Sequence, residues 1–151
     1  MIIEHLKAKG TLVIELRDEH GNIKDYREEN NLVVDLGLAF IASRMQSADA
    51  PVVSHMAVGT GGTAENGSQT TLVNESYRQS LSATTLTTTN VANDTVQYQA
   101  SFAAGNGTGE LVEAGLFNAS SAGTMVSRTV FAPVNKGPLD TLTITWKINI
   151  Q

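Results

Sequence analysis

The feature that most constrains the fold is the stretch Thr141–Ile150. Leu142, Ile144, Trp146, Ile148 and Ile150 alternate there with Thr141, Thr143, Thr145, Lys147 and Asn149. A period of two places the five large apolar side chains on one face of an extended strand and the polar ones on the other. One half-apolar strand cannot stand alone, so the rest of the chain must provide a layer that covers it. Two further strands are expected just before it, at Leu111–Phe117 and Met125–Phe131. Asn118–Gly123 is expected to be a compact turn between them, and Pro133–Pro138 a rigid connection into the last strand.

The earlier chain continues the pattern. Thr11–Arg17 alternates, with Leu12, Ile14 and Leu16 on one side, and Asp18–Asn22 is a turn cluster from which Ile23–Arg27 returns as the second strand of a hairpin. The charges Glu15, Arg17, Lys24, Asp25 and Arg27 suggest an exposed position in the sheet, protected against unwanted pairing. Residues 1–10 are weakly periodic and read as a first strand or an arm laid on a neighbour. Val33, Leu36, Phe40, Ile41 and Met45 have helical spacing, with Asn30 or Asn31 available as N-cap, Arg44 suited to the last turn and Gly37 tolerable if close packing needs it. Val52–Val58 reads as a short buried strand, Ser76–Asn90 as one Ser/Thr-rich strand, and Thr95–Phe102 as a strand with Val96, Tyr98, Ala100 and Phe102 inward. Seven to nine strands and one helix predict a single all-β domain over residues 1–151, a β-sandwich or jelly roll, with 1–27 as a contact arm or hairpin.

Composition narrows the functional classes. Charged residues are 17% of the chain and the formal net charge is −5, with no window that clusters Lys and Arg. Nucleic-acid binding needs such a basic patch, so nucleic acid is not an expected partner. There is no cysteine, which removes disulfides, thiolate catalysis and Cys-ligated zinc. Met1–Lys7 lacks the pattern of a signal peptide and no stretch reaches the length of a membrane span, so the expectation is a chain made in the cytosol without a membrane partner. The Asn-x-Ser/Thr triplets at Asn66, Asn74, Asn93, Asn106 and Asn118 are what this composition yields by chance.

Candidate chemistry is sparse. Gly59-Thr60-Gly61-Gly62-Thr63-Ala64 satisfies the letter of a dinucleotide fingerprint, but Glu65–Thr70 has no helical period on which a pyrophosphate would sit. An ordinary turn is the expectation. His5, His20 and His55 lack metal-ligand spacing, and no nucleophile elbow is present. Glu110 and Glu113 lie three apart on a strand, hence on opposite faces, and form no acid–base pair. Glu113 is expected to share a face with Leu111 and Phe117 and to pair with Arg128 across the hairpin as a structural, partly buried ion pair. No catalytic, cofactor-binding or metal-binding residue is predicted, and the chain is not expected to be an enzyme.

Four segments together carry a family resemblance. They are Asn31–Gly37, Met56–Gly61, Gly109–Asn118 and Phe131–Trp146. In this order they resemble small β-rich structural proteins from the virions of tailed bacteriophages, over about residues 30–150. The resemblance implies a capsid decoration (cement) protein that binds the assembled shell, located in the virion, with the major capsid protein as partner and a homo-oligomer, a trimer foremost, as its form. The alternative it allows is a tail-fibre or baseplate-associated module whose loops Thr60–Thr71 or Ala103–Gly109 contact a receptor or glycan. A carbohydrate-active enzyme is a third reading, disfavoured by one Trp and the lack of a carboxylate pair. The charged region Met1–Arg27 is the expected shell or neighbour contact.

Overall fold

A computed structural model describes residues 4–49 and 51–151. The chain is mostly strand with one short helix. The strands are β1 (Ala8–Arg17), β2 (Ile23–Val33), β3 (His55–Gly59), β4 (Glu75–Ser80), β5 (Ala83–Thr87), β6 (Thr95–Phe102), β7 (Gly109–Phe117), β8 (Met125–Lys136) and β9 (Thr141–Ile150), and the helix α1 is Asp35–Gln46. They form one curled antiparallel sheet, a half-barrel, in the order β4-β3-β7-β8-β2-β1-β9-β6-β5.

β9 is the strand that its alternation predicts. It lies between β1 and β6, and Leu142, Ile144, Trp146 and Ile148 are all buried. Cross-strand rows such as Phe102–Leu142–Leu16 and Ala100–Ile144–Ile14 form the floor of the core. Met56, Val58, Leu111, Leu116, Val126 and Val134 from the other arm of the curl close over it. Each such side chain contributes about 1.5–3 kcal/mol by leaving water.

The β1–β2 hairpin departs from expectation. Instead of an exposed margin it occupies the middle of the sheet, and Leu12, Ile14 and Leu16 are core residues. Residues 1–3 of the expected arm lie outside the described residues. The charges on β2 have a different use. β2 meets β8 through only Leu32–Arg128 and Val33–Ser127, so the sheet is split for most of their length. Arg27 fills the split: it is held by Asp25 (Nη2–Oδ2 2.8 Å) and donates to the carbonyls of Ala132 and Pro133. The segment expected as a connection at Pro133 is the second half of β8, where Val130–Val134 bulge opposite Leu111–Glu113. Proline fits a bulge because no ladder bond is asked of it there.

Two further boundaries are corrected. Asn30 and Asn31 belong to β2, and the helix starts one turn later, at a Val34 N-cap that makes no side-chain bond. Its first amide, Asp35 N–H, instead donates to Gly67 O (2.8 Å). Gly37 is the buried residue of α1: a Cβ there would lie 2.0 Å from Val126 O, so the close approach to β8 requires glycine. Arg44 stands in the last turn as expected. The Ser/Thr-rich strand is two strands, β4 and β5, on opposite edges of the sheet, linked at Leu81–Ser82, where Leu81 N–H donates to Ser54 O and Ser82 N–H to Gln99 O. Val52 is exposed, and the buried strand that follows begins at His55.

Candidate functional site

β7 is covered on both faces. Leu111, Ala114 and Leu116 face the main core, whereas Phe117 joins Val34, Ala57, Leu72 and Met125 in a second, smaller apolar cluster. The glycine-rich segment between β3 and β4 provides that second cover. Glu113 lies under it with no exposed surface. The bulge beside Val112 separates Glu113 from Leu111, so it shares a face with Gly115 and Phe117 only, which corrects the expected alignment.

The predicted partner is in place, and the pair is fully rather than partly buried. Arg128 Nη2 and Nε both donate to Glu113 Oε2, at 2.8 and 3.0 Å, and neither side chain has exposed surface. Both groups are also saturated by the loop. Glu113 Oε1 accepts from Gly61 N–H (3.0 Å) and Asn74 N–H (2.7 Å), and Oε2 accepts from Val73 N–H (3.0 Å). Arg128 Nη1 donates to Thr63 O (2.8 Å) and Gln69 Oε1 (3.0 Å), and Nη2 to Gly61 O (3.2 Å). All five guanidinium N–H donors are thus used. The carboxylate receives five hydrogen bonds in total.

This geometry explains the glycines that mimic a nucleotide fingerprint. A Cβ on Gly61 would sit 2.4 Å from Val73 Cβ and 2.7 Å from Glu113 Oε1. On Gly59 it would sit 2.3 Å from Asn74 O and 2.7 Å from the same Oε1. Glycine is needed so that backbone amides can approach a carboxylate within the protein, the same steric reason that serves phosphate loops elsewhere. The anion these amides hold is a side chain. Chemically, the constellation is a clasp: with every lone pair and proton committed, neither Glu113 nor Arg128 has a site left for a substrate atom. Glu65 adds a second tie, its Oε1 accepting from Val130 N–H (2.5 Å) in the split beside the bulge.

The other candidates lie apart. Glu110 is exposed near the start of β7, and Glu113 is buried beyond the bulge. His20 is exposed in the β1–β2 turn beside Glu19, and His55 Nδ1 lies 2.8 Å from Ser54 Oγ at the start of β3. No group of three or more His, Asp or Glu side chains is gathered for a metal among the described residues. The loop between β6 and β7 takes its shape from Gly105 and Gly107 at positive φ, and Lys136 Nζ is buried against Ala103 O (2.9 Å), where burial lowers its pKa. Three aspartates organise turns. Asp18 accepts from His20 and Asn22 N–H, Asp94 from Thr89, Asn90 and Val91 N–H, and Asp140 from Gly137 N–H and Lys24 Nζ. The bond from Asn22 does most to lower the pKa of Asp18, that from Val91 to lower Asp94 well below the carboxylate range, and the one from Lys24 to lower Asp140.

Gln69, Glu65 and Arg27 were not visible as structural residues in the sequence, since each bonds to groups far along the chain. Comparison with protein families, curated proteins and solved structures finds no match for this chain. Among the described residues no helix is long and apolar enough to cross a membrane.

Proposed function

We propose that this chain is a non-enzymatic structural protein of a bacteriophage virion, a capsid decoration (cement) protein that binds the assembled shell. The observation that carries this reading is where the resembling segments fall. Met56–Gly61 supplies the glycines of the clasp, Gly109–Asn118 supplies Glu113, and Phe131–Trp146 continues the strand of Arg128 into the core strand β9. The segments that carry the resemblance are thus the framework of the fold. The one loop with the look of a ligand site is consumed by internal bonds. That suits a rigid body whose work is done by its outer surface.

On this reading the curled sheet works as a two-layer sandwich, β2-β1-β9-β6-β5 facing β4-β3-β7-β8, with the chain crossing between layers at Leu32–Val33 and Leu81–Ser82. The partner is the major capsid protein, and the protein acts as a homo-oligomer. Binding to the assembled shell and not to the free subunit stabilises the shell by mass action. The test mixes purified protein with assembled shells and, separately, with unassembled shell subunits. The expected result is saturable binding to shells alone, with a raised temperature of shell disruption. Binding to tail fibres or host cells instead would support the tail-associated module, and no binding to any particle component would refute both.

A further inference from the structure

The two edges of the sheet are treated differently. β4 is defended: Arg78 is held by Glu75 (Nη2–Oε1 2.7 Å), lies 3.7 Å over the Phe117 ring, and donates to the carbonyls of Ala119 and Ala122. β5, at the opposite edge, has none of these devices. Its backbone pairs with β6 on one side and, among the described residues, with nothing on the other. Between Arg78 and Asp94 the sequence carries no charged residue and no proline, in a chain of net charge −5. Edge strands that must stay unpaired ordinarily hold a charge, a proline or a bulge.

The side chains of β5 carry the same message. Leu86 lies directly opposite Val96, and Val96 opposite Ile148, so one apolar row runs from the free edge into the sheet. Val96 and Ile148 line an apolar groove of about 270 Å³ under Phe40, Ile41 and Met45 of α1. Leu86 ends that row with 60% of its surface exposed. On the other face, Thr85 stands beside Gln97, and the row reaches its first charge only at Lys147, two strands in from the edge.

We propose that β5 is a self-association strand: two copies of this chain pair their β5 strands antiparallel about a two-fold axis, so that one sheet runs through both. The occupant is a second copy because the strand is self-complementary. A two-fold axis perpendicular to the sheet keeps the inner faces on the same side, which extends the Leu86 row with its own equivalent and sets Thr against Thr on the outer face. It also brings together the edge strand of an acidic chain that holds no charge, so that two copies meet there without like charges opposite each other. This pairing is isologous, and so departs from the trimer that the family resemblance implies.

The experiment measures mass in solution by sedimentation velocity for the wild-type chain, for Thr85→Lys and Thr85→Glu, and for an equimolar mixture of the two variants. The wild type is expected at twice 16.0 kDa, weakening on dilution. Each variant alone is expected to dissociate up to about five-fold more readily, and the mixture to recover the dimer, because residue 85 of one copy lies diagonally across from residue 85 of the other, within reach of long side chains, so that like charges are neighbours in the first case and opposite charges in the second. Hydrogen exchange on the wild type, which does not depend on how the variants fold, is expected to show amides of residues 83–87 slowing as concentration rises. A wild-type monomer at all concentrations, a trimer with residues 83–87 exchanging freely, or variants that associate like the wild type would overturn the proposal.

Discussion

Replacing Glu113 by glutamine removes one negative charge from a site with no exposed surface and leaves Arg128 buried without its counter-ion. Breaking a buried ion pair from one side costs about 3–5 kcal/mol, because the surviving charge is neither solvated nor compensated. Here the amide also cannot rotate out of difficulty. One carboxylate oxygen faces the N–H groups of Gly61 and Asn74, and the other faces those of Val73 and Arg128. Whichever side receives the NH2 group, donors meet donors. A domain of this length loses about 2–4 °C in Tm per kcal/mol, so the expected fall is on the order of 10 °C. The assay is thermal unfolding at pH 7, with Glu110→Gln as the control. Glu110 is exposed on the same strand, and its change should stay within about 0.5 kcal/mol. Hydrogen exchange should also show amides of residues 60–74 losing protection before the rest of the sheet. A Glu113→Gln protein that melts within 2 °C or so of the wild type would refute the clasp as a structural element.

Gly61→Ala should destabilise by about 1–3 kcal/mol through its contacts with Val73 and Glu113, whereas Gly62→Ala, with nothing within 4 Å of the new methyl group, should be nearly neutral; urea unfolding of the two variants checks this. For Gly37→Ala the sign is the test. Helix propensity alone predicts a gain of about 1 kcal/mol, but the 2.0 Å approach of the new Cβ to Val126 O predicts a net loss in the same assay. Asp18, Asp94 and Asp140 all have pKa values lowered in the folded state, so their contribution is present above the unfolded value of about 3.9 and is lost as pH falls through the folded values. Tm should therefore fall below about pH 4, and Asp94→Asn should flatten that acid limb. Trp146 is the sole tryptophan and fully buried, so native fluorescence should be blue-shifted and its red shift in urea should coincide with the loss of β-sheet signal.

Strands whose apolar residues alternate without interruption were legible directly: β6 and β9 stand where their period of two places them. The Glu113–Arg128 pair was legible too, because two oppositely charged residues on consecutive strands of a hairpin fall within reach of each other. Its depth was not. Burial of Glu113 depends on the Gly59–Asn74 segment folding back over β7, and a loop's path follows from bonds to distant carbonyls and amides, not from local period. The same reason hid the role of Arg27, whose charge reads as surface decoration until the split between β2 and β8 exposes the carbonyls of Ala132 and Pro133 to it. Asn30 and Asn31 are good N-cap residues by propensity, yet pairing with Thr11 and Gly10 keeps them extended. Ladder bonds along the whole β1–β2 hairpin outweigh one cap. Ser76–Asn90 contains no glycine or proline to mark a break, and only the curl of the sheet divides it between two edges.

The most direct test of the chain as a shell-binding building block is its copy number and position in purified virions, by quantitative mass spectrometry and imaging. The account predicts an abundance comparable to that of the shell subunit, with density on the outer capsid surface. A few copies confined to the tail, or none in the particle, would contradict it.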